Sequence, residues 1–216
     1  MCERGREQAE RLSIPSGILK IFGSRIKSLR FRTLTGRNGG IFLVWFWTFV
    51  CYSFAGFLLE VAFAAAVGGR PDRKGLLVLP LCPVYGLGAC LILLLPRWVA
   101  VRPWALFLAG GLAATAAEYI DALYHEKVLG VTFWDYRGLP GNIAGRVCLP
   151  FSLAWGILSL GLVWWVHPRL LPWLERIPGP VSAAALLTLA ADGWVTAVLL
   201  RRCGDTRCLR WDRRGG

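Results

Sequence analysis

Five apolar runs, at 41–67, 76–95, 104–124, 147–166 and 181–200, divide the chain. Each reaches the roughly 20 residues that a helix needs to cross a bilayer. The polar stretches between them are short, and the longest, at 125–146, is too small to bury a core of its own. The pattern predicts an all-α polytopic membrane protein of five transmembrane helices. One unit at 41–200 then lies between a basic arm at 1–40 and a basic tail at 201–216.

Composition supports this reading, since 56% of the 216 residues are hydrophobic and 11 are tryptophan, too apolar for an ordinary soluble domain. No G-x-x-x-x-G-K-[ST] loop occurs, so an ATP-driven machine would take its ATPase subunit from a separate chain. The net charge of +12 sits mainly at the ends, with nine of the 25 Lys and Arg in residues 1–40 and six after Leu200. No nucleic-acid-reading motif accompanies it. Membrane lipids with anionic headgroups are therefore the expected partner of the basic ends, and nucleic acid is not.

In the arm, Ile14, Ile18, Ile21, Phe22, Ile26 and Leu29 recur at helical spacing opposite Lys20, Arg25, Lys27 and Arg30. This predicts a basic helix lying on the membrane surface, while Gly17 and Gly23 favour a disordered leader instead. No short basic stretch leads directly into an apolar core, so the first span reads as uncleaved. Five spans put the termini on opposite sides. The basic residues nearly balance, 13 against 12, so the first span decides, giving a cytoplasmic N-terminus in the cell's inner or plasma membrane.

An offset of 70 aligns the second and fourth spans, matching Gly75, Leu79, Pro80 and Gly86 to Gly145, Leu149, Pro150 and Gly156, and Tyr85 to Trp155. The preceding spans carry Glu60 and Glu118 at similar depths, roughly 10 and 9 Å from their ends. Two parallel hairpin repeats plus one helix would give this pattern, as would chance matching of Gly- and Leu-rich helices.

The sharpest chemical signal is acid within hydrocarbon. Ala114, Glu118, Asp121 and His125 fall on one face of the third span, beside a small-residue stripe of Ala109, Ala113 and Ala117. A charge at mid-bilayer costs about 2.5–3.5 kcal/mol on insertion scales and usually faces the bundle interior. Glu60, Glu118 and Asp121 should converge with Arg73, Lys74, Asp135 and Arg146 on one side, with Trp134, Asp135, Tyr136 and Asn142 closing over them. The convergence is either a binding pocket or an ion-pair network that fastens the loop to the bundle. Asp192, deep in the fifth span, reads as a coupling or assembly residue or as an aspartate hydrogen-bonded against Thr196. Metal is not expected: His125 and His167 belong to opposite sides, no C-x-x-C or H-x-x-x-H occurs, and Cys203 and Cys208 form only a C-x4-C pair. Cys82 and Cys148 lie near the same ends of spans two and four, as buried thiols or as a disulfide between the hairpins.

Tyr52-Ser53-Phe54 with Gly56 and Leu58-Leu59-Glu60, Lys74-Gly75, Cys82-Pro83-Val84-Tyr85-Gly86, Glu118-Tyr119, Trp134-Asp135-Tyr136, Asn142, Gly145-Arg146-Val147-Cys148-Leu149 and His167-Pro168 follow one another in order. Together they resemble the bacterial CmpB-like family of ABC-transporter type IV proteins over about residues 42–200. Leu79-Pro80-Leu81 departs from it where the resemblance implies a Gly-Pro pair. The resemblance implies a multispan membrane protein of permease type; on the permease reading of the residues, Glu60, Glu118, Asp121 and Arg146 line a pocket for a solute or lipid and Trp134, Asp135 and Tyr136 cap it. A separate ATPase or a second copy would complete the machine, and no cofactor is implied. Two other readings share these residues: an enzyme acting on lipid headgroups with Glu118 and Asp135 as acid and base, and a non-catalytic membrane scaffold.

Overall fold

The computed structural model describes residues 38–67 and 77–209. The arm, the Arg73 and Lys74 positions and the end of the tail, for which a surface helix and loop cations were expected, lie outside the described residues. Within them every regular element is a helix and no strand forms. It comprises α1 (Asn38–Ala66), α2 (Pro83–Leu94), the single turn α3 (Arg97–Ala100), α4 (Pro103–Tyr124), α5 (Leu149–Gly161), α6 (His167–Leu174) and α7 (Gly179–Cys203). A π turn, His125–Leu129, extends α4, and a second, Leu162–Val166, joins α5 to α6 in one rod. Proline occupies the first turn of α2, α4, α5 and α7, where a missing N–H leaves no helical bond unmade.

Four rods are long and apolar enough to cross a membrane: Gly40–Ala66, Pro103–Leu129, Leu149–Leu174 and Gly179–Cys203. The rods of the third and fourth apolar runs extend furthest beyond the pattern. The third continues past 124 to Leu129, and the fourth past 166 to Leu174, so His167 sits inside a rod and not in a connecting loop. The second run is only partly helical, with 12 residues in α2. Pro80 and Pro83 explain the shortfall: each lacks an N–H, and each drives the residue before it out of helical geometry. Residues 77–82 therefore run as irregular backbone up to the Pro83 start of α2.

Irregular backbone inside an apolar bundle strands its amides, and α7 supplies their partners. The Leu79 N–H donates to Asp192 Oδ1 at 3.0 Å, and the Val78 N–H donates to Thr196 Oγ1 at 3.1 Å. Asp192 and Thr196 are one turn apart on the same face, both buried. Asp192 thus anchors the segment leading into α2. Replacing it with alanine should cost about 1–3 kcal/mol, the usual penalty for orphaning a buried donor, while Asp192→Asn keeps an acceptor and most of the stability. Thermal unfolding in detergent micelles separates the two, and equal losses would show that charge, not hydrogen bonding, matters at this position.

α2 lies between α1 and α4, and α4 packs in turn on α5. The core joining these helices contains Ile92, Leu106, Ala114 and Trp155. At the other margin, Leu129 and Val131 meet Leu200 and Leu209, so the end of α7 folds back onto the end of the α4 rod. Leu112, Leu187 and Trp194 are 72%, 72% and 74% exposed, an outward apolar surface suited to lipid.

Candidate functional site

Two carboxylates meet where the α1–α2 and α4–α5 pairs face each other. Glu60, near the end of α1, accepts a 2.7 Å hydrogen bond from the Tyr85 hydroxyl on α2. Glu118, 6% exposed on α4, accepts from Trp155 Nε1 on α5 at 3.1 Å and from the Tyr136 hydroxyl at 3.0 Å. The Tyr85 and Trp155 rings, matched by the offset of 70, lie 4.8 Å apart and link the two pairs. Glu60 and Asp121 both interact electrostatically with Glu118 or its neighbours, and all three acids lie within electrostatic reach of the Cys82 thiol. One turn beyond Glu118, the Asp121 carboxylate is 3.6 Å from His125 Nδ1. That nitrogen is 2.7 Å from the Asp121 carbonyl oxygen. Phe133 and Trp134 present their rings edge-on to His125, at 4.7 and 6.4 Å.

The loop after α4 closes over this cluster by its own backbone bonds. Tyr136 N–H donates to the Gly145 carbonyl at 2.8 Å, Ile143 N–H to the Val147 carbonyl at 3.0 Å, and Trp134 Nε1 to the Arg146 carbonyl at 2.8 Å. Gly145 has φ +72°, and a Cβ there would meet Asp135 Oδ1 at 2.7 Å, so only glycine fits the turn. The Tyr136 ring stacks on Phe151 at 4.9 Å, which aims its hydroxyl at Glu118. Burial, with the Glu118 carboxylate beside it, pushes the Tyr136 phenol above its ordinary range.

The remaining sequence-predicted residues hold the loop. Arg146 pairs with Glu126, at 3.0 Å through Nε and 2.5 Å through Nη2, and its guanidinium lies 5.5 Å from the Tyr119 ring centre. This pairing holds the Arg146 guanidinium above its usual range. Asp135 is exposed and accepts from the Arg137 backbone N–H at 3.0 Å and from its Nε at 2.9 Å. Those bonds hold the Asp135 carboxyl below the usual carboxylate range. Asn142 donates to the Leu139 carbonyl at 3.0 Å and accepts from Gly145 N–H. The structure thus brings Glu60, Glu118, Asp121 and Tyr136 together, with Trp134 packed beside them against Cys82 and Val84. It directs Arg146, Asp135 and Asn142 to local partners. Among the described residues no Lys or Arg pairs with Glu60, Glu118 or Asp121. Tyr85 and Trp155, the direct donors, went unassigned in the sequence although the repeat had aligned them. Cys82 and Cys148 are buried free thiols.

Four long apolar helices and a shorter fifth, packed around buried carboxylates, define a multi-pass membrane protein with a polar centre. Residues 47–197 match the model of the family described as Putative ABC-transporter type IV, and the chain belongs to that family. Its role is accordingly membrane transporter-like. No curated protein and no solved structure matches the chain.

Proposed function

We propose that this protein is the permease-type membrane component of a transport system and that it binds a cationic solute or lipid headgroup at the Glu60–Glu118–Asp121 cluster. One observation carries the reading. The donors to Glu60 and Glu118 are the neutral groups of Tyr85, Trp155 and Tyr136, and among the described residues no Lys or Arg pairs with either carboxylate. Acids in hydrocarbon are costly and are kept where they meet a charge of opposite sign. An amine group from outside the chain supplies that charge. Trp134, Asp135, Tyr136, Asn142 and Arg146 shape and hold the loop that covers the site, and a separate ATPase subunit or a second copy of the chain completes the transport machine.

Thermal unfolding of the purified protein should rise with at least one member of an amine series of choline, ethanolamine, spermidine and phosphatidylethanolamine. The response should vanish in Glu118→Gln and Glu60→Gln. An equal response in both variants and the wild type would reject the site.

A further inference from the structure

Two cysteines lie outside both the helix core and the proposed site, at the point where α7 ends. There Gly204 takes φ +64°, and its N–H donates to the Leu200 carbonyl at 2.9 Å. This left-handed cap turns the chain back on itself, and a 3₁₀ turn, Thr206–Leu209, follows at once. Cys208 Sγ donates to the Asp205 carbonyl at 3.0 Å. The reversal brings the Cys208 thiol within hydrogen-bonding reach of the Cys203 thiol. Both are free thiols, Cys203 exposed and Cys208 half-buried, whereas Cys82 and Cys148 are shut inside the bundle.

The turn that carries this pair clasps the end of the α4 rod. Leu209 is buried against Leu129, Val131 and Leu200, and Cys208 packs on the same cluster. From the last turn of α7, Arg201 Nε donates to the Val128 carbonyl at 3.3 Å. Val128 and Leu129 belong to the π turn whose Glu126 holds Arg146 of the covering loop. Tail, π turn and loop are therefore held in series. A disulfide requires two Cβ atoms that converge closely, usually with the Cα atoms less than about 7 Å apart. Two thiols in contact across a chain reversal already converge in that way. Burial and the adjacent Cys203 sulfur hold the Cys208 thiol above its ordinary range, so the exposed Cys203 sulfur is the one that an incoming disulfide meets first.

We propose that Cys203 and Cys208 form a reversible intramolecular disulfide that staples the tail turn in its seat on the α4 rod. The reaction is exchange with a low-molecular-weight disulfide such as oxidised glutathione. Cys203 gives its proton to solvent and attacks one glutathione sulfur, and the other glutathione leaves as a thiolate. Cys208 then loses its proton and attacks the Cys203 sulfur of the mixed disulfide, which expels the second glutathione thiolate. Two protein thiols are oxidised to one disulfide while one glutathione disulfide is reduced to two thiols. The closed loop removes freedom that the tail gains on leaving its seat, so the oxidised form holds Leu209 more firmly. The staple uses no residue of the Glu60–Glu118–Asp121 cluster and stands whether or not that cluster binds an amine.

The test equilibrates the purified full-length protein with oxidised glutathione, quenches it with acid, blocks remaining thiols with N-ethylmaleimide and digests it with trypsin for mass spectrometry. Cleavage after Arg202, Arg207 and Arg210 separates peptides 203–207 and 208–210, which a disulfide keeps joined. Wild-type protein should give the joined peptides from a chain that runs as a monomer in non-reducing electrophoresis. Its unfolding temperature should also rise above that of the dithiothreitol-reduced protein. Cys203→Ser and Cys208→Ser should show neither the joined peptides nor the rise, and when reduced both should unfold with the wild type. Separate glutathionylated peptides, joined peptides found only in a cross-linked dimer, or an oxidised wild type no more stable than the reduced one would each overturn the staple.

Discussion

Glu118→Leu should unfold well below the wild type in detergent, by about 1–3 kcal/mol, whereas Glu118→Gln should unfold close to it. Leucine removes the acceptor of the buried Trp155 Nε1 and the half-buried Tyr136 hydroxyl, and among the described residues neither donates to another group. Hydrogen bonds inside membrane bundles average about 0.6 kcal/mol and reach about 1.7, so the figure follows from two such bonds plus the desolvated donors left behind. Glutamine keeps an oxygen for the indole N–H. Its amide then donates to Tyr136, whose hydroxyl turns to accept, so the geometry survives while the charge is lost. The loop should loosen with the leucine variant too, because Tyr136 is one of the residues that join it to α4, beside Arg146; limited proteolysis between Gly130 and Val147 would report this. A leucine variant as stable and as protease-resistant as the wild type would show that the carboxylate does not fasten the loop.

The readable part of this fold was its hydropathy. Helix number and order follow from the apolar runs, and the starts of α4, α5 and α7 follow from the prolines there; these are local properties. The length of α2 was not readable in that way. Leu77-Val78-Leu79 is as apolar as any helix interior, and what keeps it irregular is the combination of Pro80, Pro83 and two acceptors on α7, one of them 113 positions away. Apolar composition reports that a segment is buried, not which conformation it takes once buried. The longer reach of the third and fourth rods has a related cause, since both end in or run through π turns that shift helical phase and that 3.6-residue periodicity does not encode.

The site divides along the same line. Glu118 was readable because a carboxylate in a hydrocarbon-length run is costly wherever it points. The partner of Arg146 was not. Two acids on one rod, Glu118 and Glu126, compete for it, and the π turn that begins at His125 presents Glu126 to the guanidinium. Asp135 sits next in sequence to Tyr136, yet the first faces Arg137 and solvent while the second reaches into the bundle, which leaves the pairing of Glu118 with Asp135 in acid–base chemistry without support. Alternation along an irregular loop has no fixed period from which this could be read.

Gly86→Val and Gly156→Val should be the most damaging single changes in the bundle, each costing more than the ~1–3 kcal/mol typical of overpacking. A Cβ on Gly86 would meet the Phe49 carbonyl oxygen at 2.5 Å and its ring at 2.8 Å, with Ser53 Oγ in contact as well. A Cβ on Gly156 would meet the Phe107 ring at 2.7 Å and its carbonyl oxygen at 2.9 Å. A ring can turn away, but a helix carbonyl moves only with its helix, so α1 must separate from α2, or α4 from α5. Phe49 and Phe107 are 58 residues apart, the same interval as Glu60 and Glu118, and Gly86 and Gly156 are 70 apart, as are Tyr85 and Trp155. The two hairpins therefore close on the same three contacts: phenylalanine over glycine, helix against helix, and a carboxylate bound by the aromatic residue preceding that glycine. Separation of either pair pulls its carboxylate off its donor, so each valine variant should lose the amine-induced thermal shift along with stability. Gly193→Ala is the control: nothing lies within 4 Å of a Cβ there, and alanine should be neutral or stabilising by up to about 1 kcal/mol. Wild-type unfolding temperatures for Gly86→Val and Gly156→Val, measured beside that control, would mean the helices are not in contact at these glycines.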